Sequence, residues 1–148
     1  MLSSAAAYID ADLESKGSLL KILGEEIAFN MSPRETAIQS YLESHGSLRD
    51  EFFNVVAFDN VGKLIGNLND RRAIVSLNVA DRQYFRDTVA FKEGVISRPF
   101  KSNLSGKSVI VITEPIFDKA GRLLYILGGA IDLERRQFFG QLKALKPG

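Results

Sequence analysis

The chain has 148 residues, 45% of them hydrophobic and 25% charged, with nineteen Lys and Arg against eighteen Asp and Glu and no cysteine. That length fits one domain around one core, and the balance of residue types excludes a disordered or collagen-like chain. A net charge of +1 without blocks of like charge argues against duplex nucleic acid as a partner, and the lack of cysteine removes disulfides, thiolate metal sites and thiol nucleophiles.

The longest apolar run, Leu123 to Ile131 counting glycine, is far short of the roughly 20 residues that cross a bilayer as a helix. No basic leader followed by an apolar stretch opens the chain, so a spanning or secretory segment is expected only in parts of a parent protein absent from this chain.

From Leu2 to Phe29, the residues Ile9, Leu13, Leu20, Leu23 and Ile27 recur at helical spacing and predict one long helix with a single apolar stripe. Gly17 and Gly24 weaken its middle and end, so a kink or an early stop is compatible with the pattern. The stripe suits either a helix lying on a core or a coiled-coil-like contact in a homodimer. Ser32, Pro33 and Glu35 then form a capping box with proline at the first helical position, and a second helix is expected to run to about His45, where Gly46 ends it. His45 is the only histidine, which leaves no case for a zinc site.

After Phe53 short runs of Val, Ile, Leu and Phe separated by turn residues predict strands. Asn54 to Phe58 and Lys63 to Leu68 make a hairpin about Asp59-Asn60-Val61-Gly62. The same F-D-x-x-G-basic-L pattern recurs from Phe117 to Leu123. Asp81 is placed to cap a helix reaching about Lys92 with Gly94 as its stop, and Val95–Phe100, Ser108–Phe117 and Leu123–Leu133 complete five strands. The expected fold class is α+β, an antiparallel five-stranded sheet with the long N-terminal helix over one face.

The order and spacing of Asp81-Arg82-Gln83-Tyr84-Phe85-Arg86-Asp87, Ile96-Ser97-Arg98-Pro99-Phe100, Ser105-Gly106-Lys107, Pro115 to Gly121 and Gly128-Gly129-Ala130-Ile131-Asp132-Leu133 resemble the Cache, or PDC, extracytoplasmic sensor domains. The resemblance is weak over the first fifty residues and good from Asn54 to Leu133. It implies a PAS-like core over 54–133, N-terminal helices over 1–50 and a connector over 134–148, where Phe138-Phe139-Gly140 looks like a lead into a second sensor half. The likeness is greatest to the membrane-distal half of double Cache modules of diguanylate cyclases, histidine kinases or chemoreceptors, with a single Cache domain feeding directly into a transmembrane helix as the alternative. It implies the periplasmic portion of an inner-membrane protein that binds a small-molecule ligand.

The candidate ligand-binding residues are Arg82, Tyr84, Phe85, Arg98, Phe100, Ser102 and Thr113. The guanidinium of Arg82 offers forked donors that match a carboxylate, and the helix start beside it favours an anion. Tyr84, Phe85 and Phe100 would supply aromatic walls, although aromatic residues in such places also serve as core. Arg98, held extended by Pro99, suits either a second anion contact or a salt bridge to a neighbouring loop. Ser102 and Thr113 are hydrogen-bonding groups without a sharper signal.

Family members that bind free amino acids resemble Arg-x-Trp-Tyr at this helix start, followed by a tyrosine and two aspartates. Here Tyr84 and Phe85 stand for the aromatic pair, Phe100 for the tyrosine, and Ser102 and Ala130 for the aspartates. The carboxylates that would neutralise an ammonium are missing. The expected ligand is therefore a small organic anion, or none in this half. No cofactor is implied, and no Gly-x-Ser-x-Gly, phosphate loop or metal-ligand pair equips the chain as a catalyst. The alternative function is a structural module that dimerises through the N-terminal stripe.

Overall fold

A computed structural model describes residues 2–30, 35–75, 77–102 and 104–134. Along the chain lie α1 (Leu2–Asn30), α2 (Glu35–Ser44), β1 (Asn54–Phe58), β2 (Leu64–Asn67), α3 (Gln83–Phe91), β3 (Phe100–Lys101), β4 (Ser108–Phe117) and β5 (Leu123–Asp132), with short 3₁₀ turns at Gly46–Asp50 and Arg71–Val75. The strands form one antiparallel sheet in the order β2-β1-β5-β4-β3, the α+β arrangement expected from the sequence.

Because side chains alternate across a strand, each strand feeds two different layers. Val55 and Ala57 of β1, Ile110 and Ile112 of β4, and Tyr125 and Leu127 of β5 pack with Leu13, Leu20, Leu23 and Ile27 of α1 and with Ile38 and Leu42 of α2. The intervening Val56, Phe58, Val111 and Ile126 join Tyr84 and Phe85 of α3 on the other face. The helical stripe foreseen on α1 is thus spent on the chain's own sheet, at Leu13, Leu20, Leu23 and Ile27 alike. The side chain of Ile9 lies outside the described residues, as do residues 31–34 of the foreseen capping box and the whole 135–148 tail with Phe138, Phe139 and Gly140.

Helix α1 continues through both glycines without a break. Gly24 serves contact instead: a Cβ there would come within 2.4 Å of Ile116 Cδ1, and the Tyr125 hydroxyl donates to the Gly24 carbonyl. A glycine that costs intrinsic helix stability is offset by letting the helix settle onto the sheet.

Both hairpin turns follow the foreseen chemistry. Asp59 Oδ1 accepts from the N–H groups of Val61 and Lys63, Asp118 Oδ1 accepts from those of Ala120 and Arg122, and Gly62 and Gly121 take φ of 86° and 83°. That left-handed region favours glycine.

Three local expectations need correction. Helix α3 is capped by Arg82 in extended conformation, with no side-chain cap, and Asp81 belongs to the preceding turn. The helix stops at Lys92, which takes the left-handed conformation at φ 57° and donates its N–H to the Thr88 carbonyl, so Gly94 is not the stop. The strand expected over Val95–Phe100 is reduced to Phe100–Lys101 plus an isolated bridge between Ile96 and Ile112. Pro99 has no N–H to donate, and the Ser97 hydroxyl takes the Val111 N–H in place of a backbone carbonyl.

Candidate ligand-binding site

On the face opposite α1, the sheet and the segments over it enclose a cavity of about 240 Å³. Its floor is Val56 of β1, Ala130 of β5 and Val109 and Val111 of β4, the small or β-branched residues in phase with that face. At the β3 side stand Arg82, Tyr84 and Phe100. The Arg82 guanidinium lies 5.1 Å from the Phe100 ring centroid, and Tyr84 stacks on the same ring at 5.6 Å and 17°. A cation over an aromatic face is held electrostatically while its N–H edge remains available.

Among the described residues Arg82 has no carboxylate partner. Lys107, on the same side of the sheet, is paired with Asp132 at 3.4 Å. Burial pushes the Tyr84 phenol up to about 12, with the nearby Arg82 charge pulling the other way, so the group is a neutral hydroxyl near pH 7. That hydroxyl makes no hydrogen bond to a described residue. One charged and one neutral donor thus stand together in an aromatic surround.

The seven residues singled out from the sequence divide. Arg82, Tyr84, Phe100 and Ser102 line the cavity. Phe85 does not; it is 5% exposed and meets Phe58 edge-on at 6.4 Å, as part of the core beneath α3. Thr113 is fully buried, and its hydroxyl is committed to Thr88 at 2.6 Å and to the Val95 N–H at 3.0 Å, which pins α3 and the following segment to β4. Arg98 is exposed in an open groove beside the cavity, between α3 and the β3 edge, and has no salt bridge among the described residues. The Ser102 hydroxyl accepts the Leu104 N–H at 3.1 Å within its own turn.

The structure adds Asn54, Asn67, Asn69 and Asp70, which line the β2 side of the cavity. Asn54 is in phase with Val56 and Phe58, and Asn67 pairs directly with Val56, so both face the cavity layer. The only trace of them in the sequence is that phase: a polar residue at an inward position is the informative exception. Asp70 Oδ1 accepts the Arg72 N–H at 3.0 Å and its Nε at 3.2 Å, and these bonds hold the Asp70 carboxyl below the ordinary range.

This polar side is tied to α2. The Gln39 side-chain amide accepts the Asn67 N–H at 2.7 Å and donates to the Asn67 carbonyl at 2.9 Å. Glu43 takes both Gln39 Nε2 and the forked guanidinium of Arg71, with Arg71 Nε at 2.8 Å from Glu43 Oε2. The Arg71 bond, then that of Gln39, lowers the Glu43 carboxyl to about 2. A lowered carboxylate contributes stability that is complete above its unfolded pKa and lost as pH falls through the folded one. Carboxyl resonances followed by NMR should therefore place the Glu43 midpoint near 2 in the native protein, and in Arg71→Ala it should return towards the ordinary carboxylate range.

This is the fold of ligand-binding domains of chemoreceptors, and the resemblance to Cache sensor domains holds at that level. The ligand-binding domain of the Pseudomonas aeruginosa amino acid chemoreceptor PctC, solved with GABA, superposes with a TM-score of 0.80 at 22% identity, over 97% of this chain and 65% of that one. The corresponding domain of Pseudomonas fluorescens CtaA, solved with L-isoleucine, gives 0.79 at 21% identity over 97% and 58%. An extracellular ligand-binding receptor of Desulfohalobium retbaense gives 0.74 at 16% over 95% and 25%. The chain thus spans less than two thirds of each of these structures. No family model and no curated protein matches it. No helix among the described residues is long and apolar enough to cross a membrane.

Proposed function

We propose that the chain is the extracytoplasmic, ligand-sensing input domain of a membrane-bound signalling protein, and that its cavity takes a small organic anion with the anionic head at Arg82. The observation that carries this reading is a partly buried guanidinium with no carboxylate partner among the described residues, set over Phe100 beside the Tyr84 hydroxyl. A forked cation in a mostly apolar hollow recognises a carboxylate by charge-assisted hydrogen bonds. The cavity volume is below the roughly 300–1,000 Å³ of sites for drug-sized molecules, so the solute is small. The fold shared with receptors crystallised with GABA and L-isoleucine supports a sensing role. The lack of a carboxylate at Phe100, Ser102 and Ala130 favours an acid without an ammonium next to its head.

Occupancy has a short route to α1. Residues 110–112 of β4 and 130–131 of β5 alternate between the cavity layer and the layer under α1. A ligand shifts the helix only as far as it binds one packing more tightly, and a tenfold preference corresponds to about 1.4 kcal/mol. Passage of that shift through α1 to a diguanylate cyclase, kinase or chemotaxis output belongs to the same proposal.

The test is a thermal-shift screen with small mono- and dicarboxylic acids. Binding of at least one acid is expected, weakened about ten- to a hundredfold in Arg82→Ala, as the loss of a charged hydrogen bond worth about 1.5–3 kcal/mol requires. No shift from any acid, or an undiminished shift in Arg82→Ala, overturns the reading.

A further inference from the structure

The hydrogen bonds at the far side of the cavity fix the orientation of two side-chain amides, those of Asn54 and Asn67. The backbone N–H groups of Val55 and Asn69 both point at one terminal atom of Asn54, at 2.9 and 3.1 Å. A backbone N–H can only donate, so that atom is the oxygen. The other terminal atom of Asn54 is then the nitrogen, and it lies 2.8 Å from Asn67, which must answer with its own oxygen. The Asn69 N–H reaches that same Asn67 oxygen at 3.2 Å and fixes the assignment independently. What remains is the Asn67 Nδ2 group with both its hydrogens. It has no partner among the described residues, although Asn67 is only 2% exposed and lines the cavity.

This donor borders the cavity, where water or a ligand can reach it, and its position is set by its surroundings. Asn67 is so held: Gln39 clamps its backbone on both sides and its oxygen takes two bonds. A water or a ligand group must answer the free amide. Since Asn67 is on β2 and Phe100, under the Arg82 guanidinium, is on β3, the free amide and the cation stand at opposite margins of the sheet. Asp70, which lines the same side, repels a second carboxylate there, and its own charge is already met by Arg72.

We propose that Asn67 is the specificity-determining residue of this cavity, donating from Nδ2 to a neutral acceptor oxygen, a hydroxyl or a carbonyl, at the end of the ligand remote from its anionic head. This rests on the reading of Arg82 as the anchor of that head. The ligand class is accordingly a straight-chain mono-acid carrying a terminal hydroxyl or carbonyl, rather than a plain fatty acid, a diacid or an acid with a cationic tail.

Calorimetric titration of the wild-type protein with butanoate, pentanoate and hexanoate, their ω-hydroxy counterparts, and 4-aminobutanoate and 6-aminohexanoate tests this. At the best-fitting length the hydroxy acid should bind about tenfold tighter than the plain acid, and tighter than the amino acid. For a terminal carbonyl, which can only accept, the matching advantage (5-oxohexanoate over hexanoate) should vanish in Asn67→Asp, which keeps the acceptor needed by Asn54 and Asn69 but offers no N–H. Thermal melting establishes that the variant folds, and if it does not, the comparison on wild type decides alone. Equal affinities for plain and hydroxy acids, or a preference for the ammonium tail, overturn the inference while leaving Arg82-dependent binding intact. If none of the acids binds the wild type, the sensing reading falls and the inference falls with it.

Discussion

Replacing Leu20 by aspartate should abolish the cooperative thermal transition of this protein instead of dissociating a dimer. Leu20 is fully buried under the sheet, with its Cδ1 close to Gly129, in the layer that also holds Phe52 and Tyr125. Truncating such a leucine costs about 2–5 kcal/mol by itself, and a carboxylate left there without a cation adds several more. The sum consumes most of the 5–15 kcal/mol by which a domain is stable. Ile22 on the same helix is 65% exposed, and Ile22→Asp should move the midpoint by no more than a surface change does, within about 0.5 kcal/mol. Circular dichroism during heating and sedimentation velocity together decide. A Leu20→Asp protein that melts normally and merely changes from dimer to monomer would return the stripe to an intermolecular role and revive the spacer alternative.

The second large effect is expected at Phe52. Its ring is fully buried and fills the space beneath Gly129, where a Cβ would lie only 2.4 Å from Phe52 Cε1. Phe52→Ala should cost about 3–5 kcal/mol, a fall in melting midpoint on the order of 10 °C for a chain of this size. The pair should also be coupled. Gly129→Ala forces the ring aside in the wild type but enters an empty space in the Phe52→Ala background, so the double variant should be more stable than the two single losses predict. Additive losses would show that the ring does not depend on the missing side chain. Because Gly128 and Ala130 flank this point on the cavity face, looser support from below should also weaken ligand binding.

These cases show what the sequence makes legible. The apolar runs of β1, β4 and β5 and the helical stripe of α1 are local patterns, and they foretell the strands and the helix over one face of the sheet, whereas the division of side chains between the two layers emerges from the fold. The turns at Asp59 and Asp118 are equally local, since each aspartate bonds within four residues of itself. Arg82 was legible as a cation at a helix start. Its lack of a carboxylate partner among the described residues was not, because Asp81 and Asp87 stand beside it in the sequence. The roles of Phe85 and Thr113 depended on which way α3 turned against β4, which no spacing within α3 reveals. The asparagines at the β2 side escaped notice because their meaning arises from pairing across 13 and 28 residues of chain. Lys92 took the place of Gly94 as helix stop, and a Cβ on Gly94 would come within 2.4 Å of the Thr113 carbonyl, so that glycine answers to contact with β4.

The clamp of Gln39 on Asn67 has a consequence for the domain among its neighbours. A sheet whose outermost strand offers free amide and carbonyl groups invites another extended chain to zip alongside. At Asn67 the side chain of Gln39 occupies both groups, standing in for one residue of an added strand. The far margin is blunted differently, by a two-residue β3 and a proline that breaks the row of donors. At each border part of the row of partners that an added strand would need is taken or missing, which works against fibrous growth through the sheet.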